Sequence, residues 1–222
     1  MHRDTMAWRR EYEKLNAFWI HDGNPKRPHA LLTSGNHSNG FFNSKPIIAD
    51  DKLINEVADD LLEKLPFSFI LVDRFVGPAT GATRLAEMLS LRIQYNSSRR
   101  DCFWSSPEKV GEGREKKLVF KDEEDFLSEN VVLCEDVLTT GSSIELVAMA
   151  VKEKHGHIMP IVLVIVNRSG LAQLENFGLV LSLIDQPIPI WIPELCPLCR
   201  QKSEAICPKN PPENWARLNA KY

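Results

Sequence analysis

The stretch Val131 to Ser143, "VVLCEDVLTTGSS", decides how the rest of the chain is read. An apolar run ends at two adjacent carboxylates, Glu135 and Asp136, and a Thr/Gly/Ser turn follows. Neighbouring carboxylates repel each other, and neither one helps a buried strand to pack. The pattern therefore predicts a binding site at the end of a strand.

The turn that follows the acidic pair favours an anion. A helix is predicted to begin near Ser142, and the free N–H groups of a helix start form an anion cradle. Four hydroxyls add to this cradle, those of Thr139, Thr140, Ser142 and Ser143. Gly141 lets the backbone come close to a phosphate. Because carboxylates accept hydrogen bonds from sugar hydroxyls, the stretch predicts a ribose 5-phosphate site. The alternative is an N-capping turn preceded by two surface acids.

Two common nucleotide motifs are missing from the sequence. No G-x-x-x-x-G-K-[ST] run occurs, which excludes a P-loop, and no G-x-G-x-x-G run supports a dinucleotide fold.

Elements on either side of this stretch alternate between strand and helix. The predicted strands are Phe67–Asp73, Arg92–Asn96, Asn130–Asp136, Ile158–Arg168 and Gly178–Asp185, and the first two predicted helices are Thr5–Ile20 and Asp51–Leu65. Continuous apolar strands alternating with helices predict an α/β fold with a parallel sheet covered on both faces. The charged stretch Glu108–Asp125 is predicted to be a solvated, mobile excursion.

The domain prediction is one domain over residues 1–222. Its α/β core covers residues 66–185, and the segments 1–50 and 186–222 form a small hood over the open end of the sheet.

Composition narrows the classes of partner. The 222 residues carry 27 basic and 30 acidic side chains, a net charge of -3, which lacks the basic excess typical of nucleic-acid binding. No apolar run approaches the roughly 20 residues of a membrane span, and the charged start lacks the core of a secretory signal. We therefore expect a cytoplasmic protein without nucleic-acid or membrane partners. Five cysteines do not suggest a disulfide framework.

The stretch Val131–Ser143 resembles the phosphoribosyl-diphosphate (PRPP) signature of the type I phosphoribosyltransferases. The resemblance implies the fold of that family, with a parallel sheet flanked by helices. It implies that Glu135 and Asp136 hold the ribose hydroxyls and form the catalytic centre. It also implies that the loop Thr139–Ser143 wraps the 5-phosphate.

Four further segments are similar to orotate phosphoribosyltransferases, in the branch with a Cys-Pro-Leu-Cys tail. They are "LLTSGNHSNGFFN" (31–43), "VGPATGAT" (76–83), "VNRSG" (166–170) and "ELCPLCRQKSEAICPK" (194–209). The likeness implies a pyrophosphate loop of Gly77, Pro78, Ala79, Thr80 and Gly81, and orotate contacts from Thr33, Phe41, Phe42, Thr139 and Arg168. A bidentate guanidinium such as that of Arg168 suits the orotate carboxylate.

The chain departs from the pattern of that family at three points. Many members have a lysine where Thr33 stands and another around Gly81, and their mobile catalytic loop contains a histidine. Here the loop reads "SSRRDCFWSSPEKVGEGREKK" (97–117), without histidine. Its candidates for the catalytic and PRPP-binding charge are Lys109, which the branch favours, then Arg114, Lys116 and Lys117, with Arg99 and Arg100 less favoured.

Structural alternatives stand beside these assignments. Phe41 and Phe42 are as well explained by a hydrophobic core. Arg168 is compatible with a surface ion pair at a strand end, and the basic run 114–117 with a solvated face.

The spacing of the tail cysteines is weak evidence for a zinc site. Cys196, Cys199 and Cys207 supply three thiols at partly zinc-like spacing, whereas a structural zinc site takes four ligands and the tail contains no histidine. Packed thiols are therefore the default, and Cys102 and Cys134 are interpreted as incidental.

The resemblance implies the transfer of a phosphoribosyl group from PRPP to orotate, giving orotidine 5-monophosphate and pyrophosphate in UMP biosynthesis. It implies Mg²⁺ held through PRPP with no direct protein ligand, and a homodimer. Two alternatives are left open: a phosphoribosyltransferase for another base, and a non-catalytic regulator that senses PRPP.

Overall fold

The computed structural model describes residues 2–66, 68, 71–78, 81–97, 101–111, 117–121 and 123–222. Its contacts divide the chain into two compact units. The first comprises Met1–Arg9 and Ser44–Gln186, and the second comprises Arg10–Asn43 and Pro187–Tyr222.

The strands and helices are numbered in chain order. The strands are β1 (Phe18–Ile20), β2 (His29–Leu31), β3 (His37–Ser38), β4 (Gly40–Phe42), β5 (Arg74–Val76), β6 (Phe103–Ser105), β7 (Glu108–Val110), β8 (Lys117–Val119), β9 (Asn130–Leu138), β10 (His157–Asn167), β11 (Gln173–Leu174), β12 (Gly178–Asp185), β13 (Ile190–Trp191) and β14 (Ala205–Ile206). The helices are α1 (Thr5–Lys14), α2 (Lys45–Ala49), α3 (Asp51–Glu63), α4 (Thr83–Ser97), α5 (Ser142–Glu153), α6 (Pro197–Arg200) and α7 (Glu213–Asn219).

The first unit is built on a six-stranded sheet in the order β11-β12-β10-β9-β5-β6. Neighbouring strands pair in parallel, except that β11 runs antiparallel to β12 at one edge. Helices α3, α4 and α5 pack against the sheet. The predicted α/β class is confirmed.

The middle of this sheet forms the main hydrophobic core. Strands β9 and β10 are apolar along most of their length. Residues 131–135 of β9 and 161–167 of β10 are buried, and they pack with the inner face of α5. This explains why the predicted strands at 130–136, 158–168 and 178–185 are found nearly as the sequence indicates. Helix α3 also matches its prediction, because the Asp50 carboxylate caps it by accepting a hydrogen bond from the Leu53 N–H at 2.9 Å.

The predicted helix Thr5–Ile20 is too long. Helix α1 ends at Lys14, Asn16 takes a left-handed conformation with φ 49°, and β1 begins two residues later. Trp19 therefore belongs to a strand, where it faces Phe41 in the β1–β4 pair. Trp8, Tyr12, Leu15 and Trp19 recur at helical spacing, which favoured one long helix, but only Trp8 and Tyr12 lie in α1.

Two predicted strands are wrong. The strand predicted at 67–73 lies instead at Arg74–Val76, and Phe67, Phe69 and Ile70 fall outside the described residues. The segment 92–96 continues α4, because Ile93 extends the buried stripe that begins with Leu85 and Leu89.

The charged excursion also has regular structure at its two ends. Strands β7 and β8 pair antiparallel, with Lys109 opposite Leu118, and residues 112–116 between them lie outside the described part of the chain.

The second unit has a four-stranded sheet in the order β13-β3-β2-β14 and a two-stranded pair, β1-β4. Its core is small and includes Trp19, Ala30, Ile206 and Leu218. The Trp19 indole N–H donates to the Leu218 carbonyl at 2.7 Å, which ties the N-terminal part of this unit to α7. Among the residues of both units that the structure describes, no helix is long enough and apolar enough to cross a membrane.

Candidate active site

The strand order reverses between β5 and β9. From β5 the chain passes through α4 to β6 on one side, whereas from β9 it passes through α5 to β10 on the other. Open parallel sheets bind ligands at such a point, beyond the carboxyl ends of the strands. The loops that follow β5 and β9 are therefore the first place to look for a site.

The acidic pair lies near the carboxyl end of β9. Glu135 is buried, with 7% of its surface exposed, and Asp136 is half-buried. The Asp136 N–H donates to Glu135 Oε1 at 3.3 Å. Burial, and then the neighbouring Asp136 charge, raise the pKa of Glu135 well above its ordinary value. A buried carboxyl of this kind is ready to accept or donate hydrogen bonds to a polyol.

Lys109 belongs to the electrostatic surroundings of this pair. It lies on β7 with an exposed side chain, and its positive charge acts to lower the pKa of Glu135, against the effect of burial. The charge of Lys109 therefore reaches Glu135 of the predicted acidic pair. Lys117 is exposed at the start of β8, and Arg99, Arg100, Arg114 and Lys116 lie outside the described residues.

The predicted phosphate turn leads directly into α5. Gly141 occupies the N-cap with φ 88°, and a Cβ at this position would come within 3.0 Å of Leu174. The N-cap makes no side-chain hydrogen bond to the helix, as glycine has no side chain to offer. The hydroxyls of Thr140 and Ser142 are 2.8 Å apart, and both residues are exposed, as is Ser143. The start of α5 is therefore built to receive an anion.

The glycine loop after β5 meets the acidic pair. A Cβ at Gly81 would lie 2.8 Å from Asp136 Oδ1, so only glycine allows this close approach. The other end of the loop is fixed, because the Ser106 hydroxyl donates to the Gly77 carbonyl at 2.8 Å. Pro78 is buried within the loop, and Ala79 and Thr80 lie outside the described residues.

Arg168 directly follows β10, beside the end of β9. Its N–H donates to the Leu138 carbonyl at 3.0 Å, and the residue is only 2% exposed, which rules out the exposed surface ion pair considered from sequence. Burial lowers the pKa of its guanidinium to about 10, so the group stays positively charged at neutral pH. A buried cation at this edge of the sheet favours an anionic ligand.

Two positioning residues were missed by sequence reasoning. Ser106 holds the glycine loop and accepts a hydrogen bond from Thr83 Oγ1 at 2.8 Å. Asn167 is buried, accepts hydrogen bonds from the Ser169 N–H and hydroxyl, and donates to the Leu171 carbonyl, which shapes the turn that carries Arg168. In both cases the available signal was a small polar residue at the carboxyl end of a strand.

The aromatic residues predicted to stack on orotate are packed inside the second unit. Phe42 is buried and stacks on Phe18 at a centroid distance of 4.3 Å, so the core alternative is the correct one for Phe42. Phe41 contacts the edge of Trp215, at 5.9 Å between centroids. Thr33 lies exposed in the turn between β2 and β3.

The tail cysteines have partners that the sequence did not reveal. In the second unit, Cys196 and Cys199 form one group with His29 and His37, whose ligand atoms all lie within 4.8 Å of one another. Cys207, the third predicted ligand, is not a member of this group. Burial, followed by the charges of His37 and His21, lowers the pKa of His29 to about 4, so its imidazole is neutral at pH 7.

A parallel sheet whose switch point holds an acidic pair, a hydroxyl-rich turn at a helix start and a tight glycine loop has the fold of the type I phosphoribosyltransferases. A relative from Caldicellulosiruptor bescii, named orotate phosphoribosyltransferase, is 30% identical over 180 residues, covering 81% of this chain and 87% of the relative. The chain belongs to the orotate phosphoribosyltransferase family. No family model matches it.

Solved structures agree on the fold. Orotate phosphoribosyltransferase from Aeropyrum pernix superposes with a TM-score of 0.58 at 24% identity, over 79% of this chain and 92% of that one. Adenine phosphoribosyltransferase from Saccharomyces cerevisiae gives 0.53 at 16% identity, over 81% and 99%. Because enzymes named for different bases share this fold, the fold alone does not choose the base.

Proposed function

We propose that this protein transfers the phosphoribosyl group of PRPP to orotate, giving orotidine 5-monophosphate and pyrophosphate in UMP biosynthesis. The observation that carries the proposal is the close approach of Gly81 to the Asp136 carboxylate, which joins the glycine loop to the acidic pair at the switch point. Family membership supports orotate as the base.

The sugar phosphate is assigned to β9 and the turn after it. Glu135 and Asp136 accept hydrogen bonds from the two ribose hydroxyls, and the Thr139–Ser143 backbone and hydroxyls bind the 5-phosphate at the start of α5. These contacts orient the anomeric carbon toward the incoming base, which lowers the barrier by positioning.

Arg168 is assigned to the orotate carboxylate. Its guanidinium is charged and buried, and the Asn167 turn next to it restricts where it can lie. A bidentate pair of this kind would favour orotate over uracil, which has the same ring without the carboxylate.

The leaving pyrophosphate is assigned to the glycine loop, Gly77–Gly81, and to Lys109. As the bond between the anomeric carbon and pyrophosphate breaks, the sugar gains oxocarbenium character. The Asp136 carboxylate stabilises that positive charge, and Lys109 stabilises the departing pyrophosphate, while the base forms the new bond to the same carbon. Mg²⁺ carried by PRPP would neutralise the diphosphate. The residues present fit an ion held in this way, since the acidic pair is assigned to the ribose hydroxyls and no protein side chain is needed as a direct ligand.

A homodimer is part of the proposal. Strand β6 is an edge of the sheet, and both of its aromatic residues, Phe103 and Trp104, are exposed. On the neighbouring helix α4, Leu91 and Tyr95 are exposed as well. Exposed apolar side chains of this kind are typical of protein interfaces. Light scattering of the purified chain tests this part separately, and a monomeric mass would contradict it.

The decisive experiment follows the ultraviolet absorbance of orotate after protein, PRPP and Mg²⁺ are mixed. Adenine, hypoxanthine and uracil are run in parallel. We expect a PRPP-dependent fall with orotate alone, together with stoichiometric release of pyrophosphate.

Two results would contradict the proposal. Turnover of adenine or hypoxanthine in place of orotate would assign the chain to another base. No turnover with any base, while PRPP still binds in calorimetry, would assign it to PRPP sensing without catalysis.

A further inference from the structure

Four potential metal ligands converge in the second unit. His29 Nε2 lies 3.0 Å from His37 Nδ1, 3.6 Å from Cys196 Sγ and 3.5 Å from Cys199 Sγ. Cys199 Sγ lies 3.2 Å from His37 Nδ1. The two cysteines and two histidines thus turn their ligand atoms toward one common point, and the four residues come from opposite ends of the sequence.

The hydrogen bonds around His29 leave Nε2, the ring nitrogen that faces the cysteines, available to bind a metal. The Ser203 hydroxyl donates to the Arg27 carbonyl at 2.7 Å, so its proton is committed. His29 Nδ1, at 2.9 Å from Ser203 Oγ, must then be the donor, which places the ring proton on Nδ1. The lone pair of a neutral ring therefore lies on Nε2, which faces both cysteines. A histidine that ligates a metal is commonly oriented in this way, by a hydrogen bond that its other ring nitrogen donates to a neighbouring group.

Sheet geometry explains how the histidines meet. In the antiparallel pair of β2 and β3, His37 lies opposite Leu31, so His29 and His37 are diagonal neighbours on one face. The cysteines lie on a short turn around α6, which is fixed by hydrogen bonds from the Lys202 N–H to the Cys199 carbonyl and from the Ser203 N–H to the Leu198 carbonyl. Both halves of the cluster are therefore held by backbone structure.

We propose that His29, His37, Cys196 and Cys199 bind one Zn²⁺ ion as a structural site. Zinc bound to nitrogen and sulfur in a tetrahedron requires N···N separations of about 3.3 Å and N···S separations of about 3.6 Å. The four distances given above differ from these by no more than about 0.4 Å, and all of the ligand atoms lie within 4.8 Å of one another. Two thiolates and two imidazoles select zinc over the hard ions Mg²⁺ and Ca²⁺, which take oxygen ligands.

The site is structural because the protein supplies all four ligands. Catalytic zinc keeps a position open for water or substrate, and here the fourth position belongs to a protein side chain. Three of the four residues are buried and Cys199 is partly exposed. Ion binding in this place joins the β2–β3 hairpin to a turn 167 to 170 residues further along the chain.

The small core of the second unit gives the ion its role. The buried cluster around Trp19 and Leu218 is modest. Units of fewer than about 80 residues commonly need a metal or disulfides in addition to their core. The five cysteines of the described structure are free thiols, so a metal is the available cross-link.

The proposal is tested by metal analysis of the full-length protein, purified under reducing conditions without added chelator. We expect about one zinc per chain by mass spectrometry of the metal content. Cys199→Ser and His37→Gln should each lower the zinc content at least about tenfold, as expected when one of four ligands is lost. Cys207→Ser is the matched control, because Cys207 lies in the same tail outside the cluster, and it should keep the metal.

A measurement on the wild-type chain covers the case in which a variant fails to fold. Exchange of zinc for Co²⁺ should give the visible absorption of tetrahedral cobalt and a thiolate charge-transfer band in the near ultraviolet. Folded wild-type protein with no bound metal and no such spectrum after incubation with Co²⁺ would overturn the proposal. A disulfide between Cys196 and Cys199 under the same reducing conditions would also overturn it.

These readouts are independent of the proposed enzymatic activity. Zinc in a chain that does not consume orotate would contradict the transferase proposal alone, and turnover by a chain without zinc would contradict the metal site alone.

Discussion

The two units of this chain hold their polar clusters in different ways. In the first unit, the acidic pair and the phosphate turn come from one short segment, 131–143, on a sheet whose core is extensive. In the second, the cluster of His29, His37, Cys196 and Cys199 draws on segments far apart in sequence, beside a small core. In the first unit the hydrophobic core can stabilise the fold, so its polar cluster can be used for binding and catalysis. In the second unit the core is small, and the proposed role of the polar cluster is to stabilise the fold.

The largest effect that separates the two regions is expected at Asp136. In the proposed site, Asp136→Asn removes the charge that would face the ribose and the developing oxocarbenium ion, so we expect turnover to fall by about a thousandfold or more. The free energy of unfolding should change little, because the amide has the same shape. Initial rates of orotate consumption and a urea titration measure the two quantities.

Glu175→Gln is the matched control for that change. It replaces an exposed carboxylate in the turn between β11 and β12 with an amide, and it should keep wild-type turnover. Near-normal activity of Asp136→Asn, or an equal loss in Glu175→Gln, would contradict the proposed active site.

The reverse pattern is expected for the cluster of the second unit. Cys196→Ala removes one of the four proposed zinc ligands, so we expect it to lower the free energy of unfolding by about 3 kcal/mol or more. Cys134→Ala removes an equally buried thiol from β9, and it should cost only about 1 kcal/mol. Thermal denaturation with and without a chelator measures both changes.

A chelator should destabilise the wild-type chain and leave Cys196→Ala unaffected. Equal losses of stability in the two cysteine variants, with no effect of chelator on either, would mean that both thiols contribute through packing alone.

The first region was largely predictable because its information is local. Continuous apolar runs indicated β9, β10 and β12, and the order of acids, hydroxyls and glycine in Val131–Ser143 indicated the site. Prediction failed at 92–96, where Ile93 fits a strand as well as a helix until its packing partners are known. It also failed for the hydrogen bonds of Ser106 and Asn167, which depend on loops meeting in three dimensions.

The second region was poorly predictable for the same physical reason. The Cys-x-x-Cys spacing was visible, but its partners lie on β2 and β3, and only the folded unit brings them together. Nothing local marks His29 and His37 as ligands, and Cys207 is a nearer candidate in sequence. Proximity along the chain therefore pointed to Cys207, which lies outside the cluster.

A smaller effect on the first region is expected at Gly81. In Gly81→Ala the new methyl group meets Asp136 Oδ1 at 2.8 Å, and the carboxylate can move away because it is the end of a side chain. We expect turnover to fall by about tenfold to a hundredfold, since misplacing a catalytic group by about 1 Å has effects of this size. Stability should change by less than about 1 kcal/mol.

Gly156→Ala gives the contrast for Gly81. The new methyl group would lie at the same distance, 2.8 Å, from Val151 Cγ1. Val151 is buried in the core, so it has no room to move away. This variant should lose about 1–3 kcal/mol of stability and keep its turnover per folded molecule. Loss of activity in Gly156→Ala without loss of stability would contradict the distinction between site and core.

The smallest effect is expected at Glu135, where function and stability should change in opposite directions. Burial and Asp136 raise the pKa of this carboxyl in the folded state. As the pH rises above about 4.3, the ordinary pKa of glutamate, the unfolded chain releases the proton more readily than the folded one, so wild-type stability falls. Glu135→Gln cannot ionise and escapes this loss. We therefore expect it to gain stability relative to the wild type at neutral pH, by about 1 kcal/mol, while its turnover drops.

The stability difference between Glu135→Gln and the wild type should shrink as the pH falls through the window between the folded and unfolded pKa values, and it should vanish below about pH 4. Urea titrations at several pH values follow it directly. A constant difference across that range would show that the gain comes from hydrogen bonding or packing of the amide. A variant less stable than the wild type at neutral pH would mean that Glu135 is ionised and stabilised in the folded protein, where the charge of Lys109 acts to lower its pKa.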